Sequence, residues 1–189
     1  MADNGTRDAR TKRILNLGCG ERKLPGALNL DASSRTSPDI VHDLDRHPWP
    51  LSDDSFDEVH AYDVLEHLKD VIGFMEELHR VCAPEATVHL TVPHFSSANA
   101  WRDPTHRRSF AHDSVRYFEE QHPLAFYSTA RFEILCSRVE FVKTPLNRLV
   151  ARLANRWPGP YENRWAWIFP AWFLYWQLRP VKRVTGSSE

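Results

Sequence analysis

Short apolar runs, each closed by glycine, proline or aspartate, alternate with polar turns along most of the chain. Runs of this length are typical of buried strands in a parallel sheet. Residues 70–84 differ, because Val71, Met75, Leu78 and Cys82 recur there at helical spacing before a proline. The predicted strands span residues 13–19, 26–31, 39–45, 86–95 and 131–143; another lies within 56–65 and ends near Asp63, and a last one ends the segment 171–183. Further helices are predicted over 113–123, capped by Asp113, and over 146–157.

The order of these elements predicts an α/β fold with a Rossmann-like, mostly parallel sheet of seven strands. Strands that alternate with helices pair in parallel through right-handed crossovers. The last two predicted strands lack such a crossover, so we expect an antiparallel edge. Only "ERKLPGA" separates the first two strands, which leaves room for no more than a shortened first helix. We expect a flexible N-terminal arm (1–12) and one domain (13–185), with a loop at 93–114 and a helical, aromatic insertion at 144–171.

The charge balance limits the partners of the chain. Its 189 residues carry 24 lysines and arginines against 25 aspartates and glutamates, which argues against nucleic acid as a partner. The first residues lack the apolar core of a signal peptide, and no run of 18 apolar residues occurs. Cys19, Cys82 and Cys136 have no metal or redox spacing and are expected to be buried thiols in a reducing compartment. These features predict a cytoplasmic protein.

Three polar features follow the first three predicted strands. The turn "GCG", with Gly18 and Gly20, follows the first strand, Asp31 follows the second and Asp43 follows the third. Because ligands bind beyond the carboxyl ends of parallel strands, these features are expected to meet in one site. Glycines permit a positive φ and a close approach of the backbone to a ligand. Asp31 can accept two hydrogen bonds from a ribose diol, and Asp43 can accept one from an exocyclic amine beside the Leu44 N–H.

The spacing of these features argues against a dinucleotide. A pyrophosphate requires a helix N-terminus directly behind the glycines, and Pro25 and Gly26 end any helix there after one turn. The acid Asp31 also follows Gly20 by only eleven residues, where a dinucleotide site places it about 20 residues on. S-adenosylmethionine has a ribose and a base but carries a sulfonium and an amino acid in place of phosphates, so it suits such a site.

The stretches "LNLGCGERKLPGALNLD", "IVHDLDRHPWPLSDDSFDEVHAYDVLEHL" and "MEELHRVCAPEATVHLTVP" resemble the class I S-adenosylmethionine-dependent methyltransferases, and more narrowly their compact type-11-like branch. The resemblance covers about residues 13–95, although "RVCAPEA" replaces the usual lysine-proline-glycine-glycine turn. It implies that Gly18 and Gly20 face the methionine part, that Asp31 holds the ribose and that Asp43 holds the adenine. His67 in "LEHL" faces either the donor site or the following helix, and we favour a structural role. The residues expected to bind the cofactor are Asn16, Gly18, Cys19, Gly20, Asp31, Asp43, Leu44, Ala61, Tyr62 and Asp63.

Residues 93–114 follow the fifth predicted strand and concentrate histidine, arginine and aromatic side chains. One interpretation makes His94 or His106 a general base oriented by Asp103, with an arginine that binds an anionic acceptor. A second is a zinc or iron site of those three residues, although their spacing matches no metal motif and no metal is predicted. A third is a purely structural loop. The predicted catalytic residues are His94, Asp103, His106 and Tyr62, and the predicted acceptor-binding residues are His94, Trp101, Arg102, Arg107 and His112.

The C-terminal third combines a basic amphipathic helix with an aromatic stretch. Arg148, Arg152 and Arg156 recur on one face of residues 146–157, opposite leucines and a tryptophan. This pattern suits core packing with a lid over the acceptor pocket. It also suits a peripheral membrane contact at most, or a homodimer surface.

The function expected from the resemblance is transfer of a methyl group to oxygen or nitrogen of a small molecule. The acceptors of this branch suggest a natural product, a sugar or a glycan, which is an analogy at the level of the fold. Two alternatives remain. One is a non-catalytic module that binds S-adenosylmethionine and acts as a partner or regulator. The other is a metal-dependent enzyme on the same scaffold.

Overall fold

The computed structural model describes residues 12–182, which build one seven-stranded sheet. The strands are β1 (Ile14–Leu17), β2 (Ala27–Asp31), β3 (Ile40–Val41), β4 (Phe56–Tyr62), β5 (Cys82–Pro93), β6 (Phe132–Glu140) and β7 (Phe173–Pro180). Their order across the sheet is β3-β2-β1-β4-β5-β7-β6. Strands β1 to β5 pair in parallel, whereas β7 runs antiparallel to both β5 and β6. The prediction of a mostly parallel α/β sheet with an antiparallel edge is therefore confirmed.

The α-helices are α1 (Val71–Val81), α2 (Asn99–Arg102), α3 (Pro145–Arg156) and α4 (Pro158–Arg164), with short 3-10 helices at Ser34–Thr36, His112–Phe118 and Ala125–Tyr127. The Asp70 carboxylate accepts a hydrogen bond from the Gly73 N–H at 2.9 Å and so caps α1. The helix predicted over 113–123 with Asp113 as its cap is wrong, because the observed turn is a 3-10 helix that already includes Asp113. Helix α4 lies within the helical, aromatic insertion expected at 144–171 but was not predicted as a separate helix.

The connections on the β3 side of the sheet contain almost no helix. No helix occurs between β1 and β2, and only the 3-10 turn Ser34–Thr36 lies between β2 and β3. The first helix, which we expected to be shortened, is thus replaced by a turn. The Gly18 turn therefore leads directly into β2 instead of into a helix N-terminus.

The two faces of the central strands differ in polarity. Val59, Ala61, Val88 and Leu90 point to one face, are completely buried and belong to the same apolar core as the inner face of α1. The alternate positions of β4 and β5 are polar and only partly buried, and they carry glutamate, histidine, tyrosine and threonine. Because strand side chains alternate between faces, the polar side chains of β4 and β5 lie on the half-buried face, away from the apolar core that α1 covers.

Two of the expectations fall partly outside residues 12–182. The N-terminal arm predicted over 1–12 lies outside them except for Lys12, and so does the end of the domain predicted to reach residue 185. Within the described range, no helix is both long enough and apolar enough to cross a membrane.

Candidate active site

The turn after β1 is held in an unusual backbone conformation. Gly18 has a φ of 61° and Gly20 a φ of 46°, values that side-chain-bearing residues rarely adopt. A Cβ on Gly18 would also lie 2.5 Å from Cγ2 of Val64, whereas one on Gly20 would meet nothing within 4 Å. Glycine is therefore required at position 18 by both backbone conformation and packing, and at position 20 by conformation alone.

Asp31 at the end of β2 is fixed by backbone donors. Its Oδ2 accepts a hydrogen bond from the Gly20 N–H at 2.8 Å, and its Oδ1 accepts one from the Ser33 N–H at 2.8 Å. An ionised carboxylate has about four lone-pair positions, so each oxygen can still accept a hydrogen bond from a ligand. The carboxylate is thus oriented in advance by the turn that the glycines create.

A cavity of about 360 Å³ lies at the carboxyl ends of the parallel strands. Carboxylates and apolar side chains share its walls, a combination that suits a small ligand with polar groups. Five predicted cofactor residues, namely Gly18, Asp31, Asp43, Leu44 and Asp63, line it together with Ala32, Asp45, Val64, His67 and Leu68. We call this space the donor cavity. Its walls combine residues from three strand ends and the segment after β4.

Asn16, Cys19 and Gly20 support the donor cavity without lining it. The Asn16 side-chain amide donates to Oδ1 of Asn29 at 2.9 Å and to the Arg22 carbonyl at 3.0 Å. The Cys19 N–H donates to the Leu30 carbonyl, and burial raises the pKa of the Cys19 thiol. These residues hold β1 and its turn against β2, which is a positioning role.

Ala61 and Tyr62 also lie outside the cavity lining. Ala61 is completely buried in the core. The Tyr62 hydroxyl lies 2.7 Å from Nδ1 of His60 on the half-buried polar face of the sheet, and burial raises its pKa. Cofactor contact and catalysis at Tyr62 do not fit this placement, since its hydroxyl is engaged away from the donor cavity.

Asp63 follows Tyr62 with a φ of 59° and turns the chain toward the donor cavity. Its carboxylate accepts a hydrogen bond from the Thr91 hydroxyl at 3.2 Å and lies 3.4 Å from Nη1 of Arg22. The left-handed conformation of a residue other than glycine is a local strain that surrounding contacts must hold. Asp63 thus places a carboxylate at the donor cavity, beside the side chain of Arg22.

His94 at the end of β5 is a buried structural connection. Its side chain is 0% exposed, with Nδ1 at 2.8 Å from the Ser96 hydroxyl and Nε2 at 3.1 Å from Oε1 of Glu162 on α4. The same Glu162 oxygen accepts the His112 backbone N–H at 2.6 Å. The general-base role predicted for His94 does not fit, because both ring nitrogens already have partners and solvent does not reach them.

His112 is likewise engaged internally. Its Nδ1 lies 2.7 Å from Oδ1 of Asp113, and its carbonyl accepts the Trp176 indole N–H at 3.3 Å. Acceptor binding by the His112 ring is therefore not supported by its position. Glu162, His94 and His112 together dock α4 against the end of β5 and the start of the next 3-10 helix.

His106 lies on the donor side, against His67. The two imidazole rings are in edge contact with centroids 4.7 Å apart, and His67 lines the donor cavity. Burial, followed by the neighbouring His106, lowers the pKa of His67. His67 thus lines the donor cavity, the placement that we considered but did not favour.

Asp103 was predicted to orient the His106 ring, but it does not contact that ring. Its Oδ1 accepts the Thr105 N–H at 2.8 Å and the Thr105 hydroxyl at 2.7 Å, and these bonds hold its pKa below the usual range. Nδ1 of His106 instead lies 3.2 Å from the Ala100 carbonyl. The metal-ligand set considered from the sequence, His94, Asp103 and His106, is therefore not brought together.

The remaining predicted acceptor residues lie at the surface. Trp101 is 64% exposed, with its indole N–H bonded to the Phe95 carbonyl at 3.0 Å. Arg107 is exposed and uses its backbone N–H to contact the Glu66 carbonyl. Arg102 lines a second cavity of about 350 Å³ together with Asn99 and Trp172.

Glu66 is the main residue near this site that sequence reasoning left without a role. It is 1% exposed, and neither carboxylate oxygen has a hydrogen-bond partner among the described residues. Desolvation raises its pKa to about 8, with further contributions from the charges of Asp63 and Asp103. The available signal in the sequence was a glutamate between apolar residues in "LEHL", directly before His67.

The residues that line the donor cavity fall within a stretch of the chain that matches a family model. Residues 15–90 match the family model described as a methyltransferase domain, and this range contains the glycine turn and the acids at the strand ends. No curated protein sequence matches the chain significantly.

Solved structures with the same fold are similar to nearly the whole chain. An S-adenosylmethionine-dependent methyltransferase from Mesorhizobium loti is 19% identical with a TM-score of 0.56, over 89% of this chain and 90% of that one. One from Archaeoglobus fulgidus is 15% identical with a TM-score of 0.57, over 89% and 86%. A complex of the Haloferax volcanii Trm112 methyltransferase activator with a methyltransferase gives 17% identity and a TM-score of 0.54, over 87% and 81%. At this identity the likeness establishes the fold.

Proposed function

We propose that this chain, which carries a class I S-adenosylmethionine-dependent methyltransferase domain, transfers the methyl group to an oxygen or nitrogen atom of a small molecule. The observation that carries the proposal is the donor cavity, in which Gly18, Asp31, Asp43 and Asp63 meet at the ends of the parallel strands. When bound, S-adenosylmethionine supplies a methyl group on a sulfonium sulfur.

The donor cavity suits each part of this cofactor. The fixed Asp31 carboxylate has acceptor positions left for ribose hydroxyls, as argued above. The Asp43 side chain and the Leu44 backbone border the same space, where an adenine amine and ring can be held. Asp63 adds a carboxylate to the walls of the same cavity, which favours the positively charged methionine part.

The acceptor is proposed to enter from the segment after β5. His67 lines the donor cavity and contacts His106, and the His106 ring is bonded to the Ala100 carbonyl in α2. Residues Asn99 and Arg102 of the same helix line the second cavity, whose size fits a small molecule. Helix α2 thus lines the second cavity and is connected to the donor cavity through His106 and His67. In-line methyl transfer mainly requires that the acceptor atom be positioned and water be excluded.

The net charge of −1 supports a small acceptor over a nucleic acid, because nucleic-acid binding relies on a basic surface. Natural-product, sugar and glycan acceptors remain the predicted chemical range. The polar, arginine-bearing surface of residues 101–108 favours a hydroxylated or anionic molecule.

Calorimetry of the full chain with S-adenosylmethionine, followed by a methyl-transfer assay, tests the proposal. We expect saturable cofactor binding, then transfer to at least one member of a panel of small alcohols, phenols, sugars and amines. Failure of the folded protein to bind S-adenosylmethionine would overturn the donor assignment. Methylation of RNA or protein with no transfer to any small molecule would overturn the acceptor assignment.

A further inference from the structure

Three metal-binding side chains converge at the edge of the donor cavity, and we propose that they bind a divalent transition-metal ion. Glu66 and His67 come from the segment after β4, and His106 comes from the loop after α2. One ligand atom from each residue can be chosen so that all three lie within 4.8 Å of one another. Two imidazoles and one carboxylate are a ligand set common to zinc and non-haem iron.

The first argument is the state of Glu66. Its carboxylate is almost completely buried, and both oxygens lack a hydrogen-bond partner among the described residues. The nearest ion-pair partner is Nε2 of His106 at 4.0 Å, which is too long for a hydrogen bond. Because a buried carboxylate without a partner is costly, native proteins pair such groups or use them to bind metals. A cation between Glu66 and His106 supplies the missing partner.

The second argument is the orientation of the histidines. Nδ1 of His106 lies 3.2 Å from the Ala100 carbonyl, which can only accept, so Nδ1 carries the proton and Nε2 has a free lone pair. Nδ1 of His67 lies 2.8 Å from the Thr105 hydroxyl, whose own proton is donated to Asp103. Nδ1 of His67 must therefore donate as well, which leaves its Nε2 free.

This arrangement is typical of histidines that bind metals. Such a histidine donates its other ring N–H to a carbonyl, a carboxylate or a comparable acceptor, which fixes the ring and its tautomer. The series from Asp103 through Thr105 to His67 provides this support, and the Ala100 carbonyl provides it for His106. Asp103, predicted to orient His106, is thus a positioning residue for His67.

The dimensions require a small closure. Ligand bonds of about 2.1 Å place two donors on one ion no more than about 4.2 Å apart, slightly less than the separation of up to 4.8 Å in the structure. Imidazole nitrogen ligands favour a transition metal over magnesium or calcium, which prefer oxygen alone.

A second cluster of the same residue types serves as a comparison within the molecule. Glu58, His60 and His89 also lie within 4.8 Å of one another, on the half-buried polar face. There Glu58 pairs with Lys12 at 3.0 Å, and both ring nitrogens of His60 have partners, the Tyr62 hydroxyl and the Glu58 carboxylate. This cluster is already satisfied by protein groups, so a metal is not needed to explain it.

The position of the proposed ion suggests its use, a role that rests on the proposed function. Because His67 lines the donor cavity, the ion would border that cavity, where an acceptor hydroxyl could bind to it. A divalent cation lowers the pKa of an oxygen bound to it. The hydroxyl proton then leaves to solvent, the new O–C bond forms, the S–C bond breaks and the sulfonium becomes a neutral thioether. No side-chain base is required in this scheme.

Metal titration of the full chain tests the site directly. After treatment with a chelator and its removal, the protein is titrated with Zn²⁺ by calorimetry and with Co²⁺ by visible absorption. We expect one ion per chain, with affinity at least about tenfold to 100-fold weaker in Glu66→Gln and His106→Ala. The matched variant His89→Ala is expected to bind as the wild type does.

The outcomes separate this proposal from the proposed function. Absence of saturable binding, or loss of binding in His89→Ala with retention in His106→Ala, overturns the metal site. Circular dichroism of the chelated variants checks folding, and Glu66→Gln keeps the shape of the side chain. Calorimetry with S-adenosylmethionine on the chelated wild type is independent of the ion. Loss of cofactor binding there contradicts the donor assignment, and loss of metal binding alone contradicts only the metal site.

Discussion

The two sides of the proposed active site are held together in different ways: the donor side consists of the walls of the donor cavity, and the acceptor side consists of the predicted acceptor residues after β5 and the segments that contact them. On the donor side, backbone groups of the turn after β1 and the turn after β2 fix Asp31 through the N–H groups of Gly20 and Ser33. On the acceptor side, one Glu162 oxygen connects α4 to His94 and to the His112 backbone, 68 and 50 residues away along the chain. The donor side is built by local backbone geometry and the acceptor side by long-range side-chain contacts.

This difference indicates which parts of the site tolerate changes of sequence and which do not. A site fixed by backbone turns and strand ends tolerates little change in the turn, because glycine conformation sets the position of every donor. A surface held by a few side-chain contacts can accept different side chains around those contacts while the scaffold stays the same. That arrangement agrees with the general observation that one fold supports many acceptor chemistries.

The largest effect is expected from Gly18→Ala. The left-handed conformation costs about 1–3 kcal/mol, and the contact with Val64 adds about 1–3 kcal/mol of overpacking. Urea unfolding should show the sum of these losses. Gly20→Ala has the same kind of conformation with open space around its Cβ, so it should show the conformational cost alone. Equal losses for the two variants would contradict the packing role assigned to Gly18.

Asp31→Ala tests the donor side by function. We expect S-adenosylmethionine affinity to fall by roughly 1.5–3 kcal/mol, or about tenfold to 150-fold, since a charged hydrogen-bond acceptor is lost. Calorimetry measures this change directly. The control Glu85→Ala removes an exposed charge at the opposite end of β5 and should leave the affinity unchanged. Wild-type affinity in Asp31→Ala would remove Asp31 from the cofactor site.

Five of the residues predicted to bind the cofactor line the donor cavity, because they follow strand ends that the sequence pattern locates. Strand periodicity located β1, β2 and β4, and the residue that ends each strand then lay at one edge of the sheet. Asn16, Cys19 and Tyr62 were also predicted to bind the cofactor but do not line the cavity, since sequence alone does not show whether a side chain at a strand end points into the cavity or onto a sheet face. Alternation along β4 sends Tyr62 to the half-buried face instead.

The acceptor side was not predictable for a physical reason. His94 and His106 belong to one loop, yet the His94 ring contacts Glu162, whereas the His106 ring lies against the Ala100 carbonyl and His67. No local pattern distinguishes them. Helix α4, which carries Glu162, begins with Pro158 in its first turn, a start signal that was hidden in an aromatic, proline-rich segment.

Glu162→Ala tests whether the two sides are independent. The His94 ring and the His112 N–H would lose their common acceptor in a buried setting, at a cost of about 1–3 kcal/mol. Urea unfolding measures this loss, and the neighbouring, exposed Asn163→Ala provides the matched control. S-adenosylmethionine affinity should not change. A decrease comparable to that of Asp31→Ala would show that the acceptor side also shapes the donor cavity.

The smallest effect is expected in the rates of thiol labelling. In the wild type, the labelling rate of Cys19 reports on the turn after β1, which we call the donor turn. Burial raises the pKa of Cys82 to about 12 and also raises that of Cys19, so neither forms appreciable thiolate at pH 8, the form that reacts. Cys136 is only partly buried, contrary to the expectation that all three thiols are inside.

One thiol per chain should therefore react rapidly with a disulfide reagent at pH 8, and Cys136→Ser should remove that phase. Cys19 should react more slowly, at a rate set by opening of the turn that also positions Asp31. Gly18→Ala should accelerate the Cys19 phase specifically, since it weakens that turn. If Cys19 of the wild type reacts as fast as Cys136, the donor turn opens freely in solution and the contrast between the two sides does not hold.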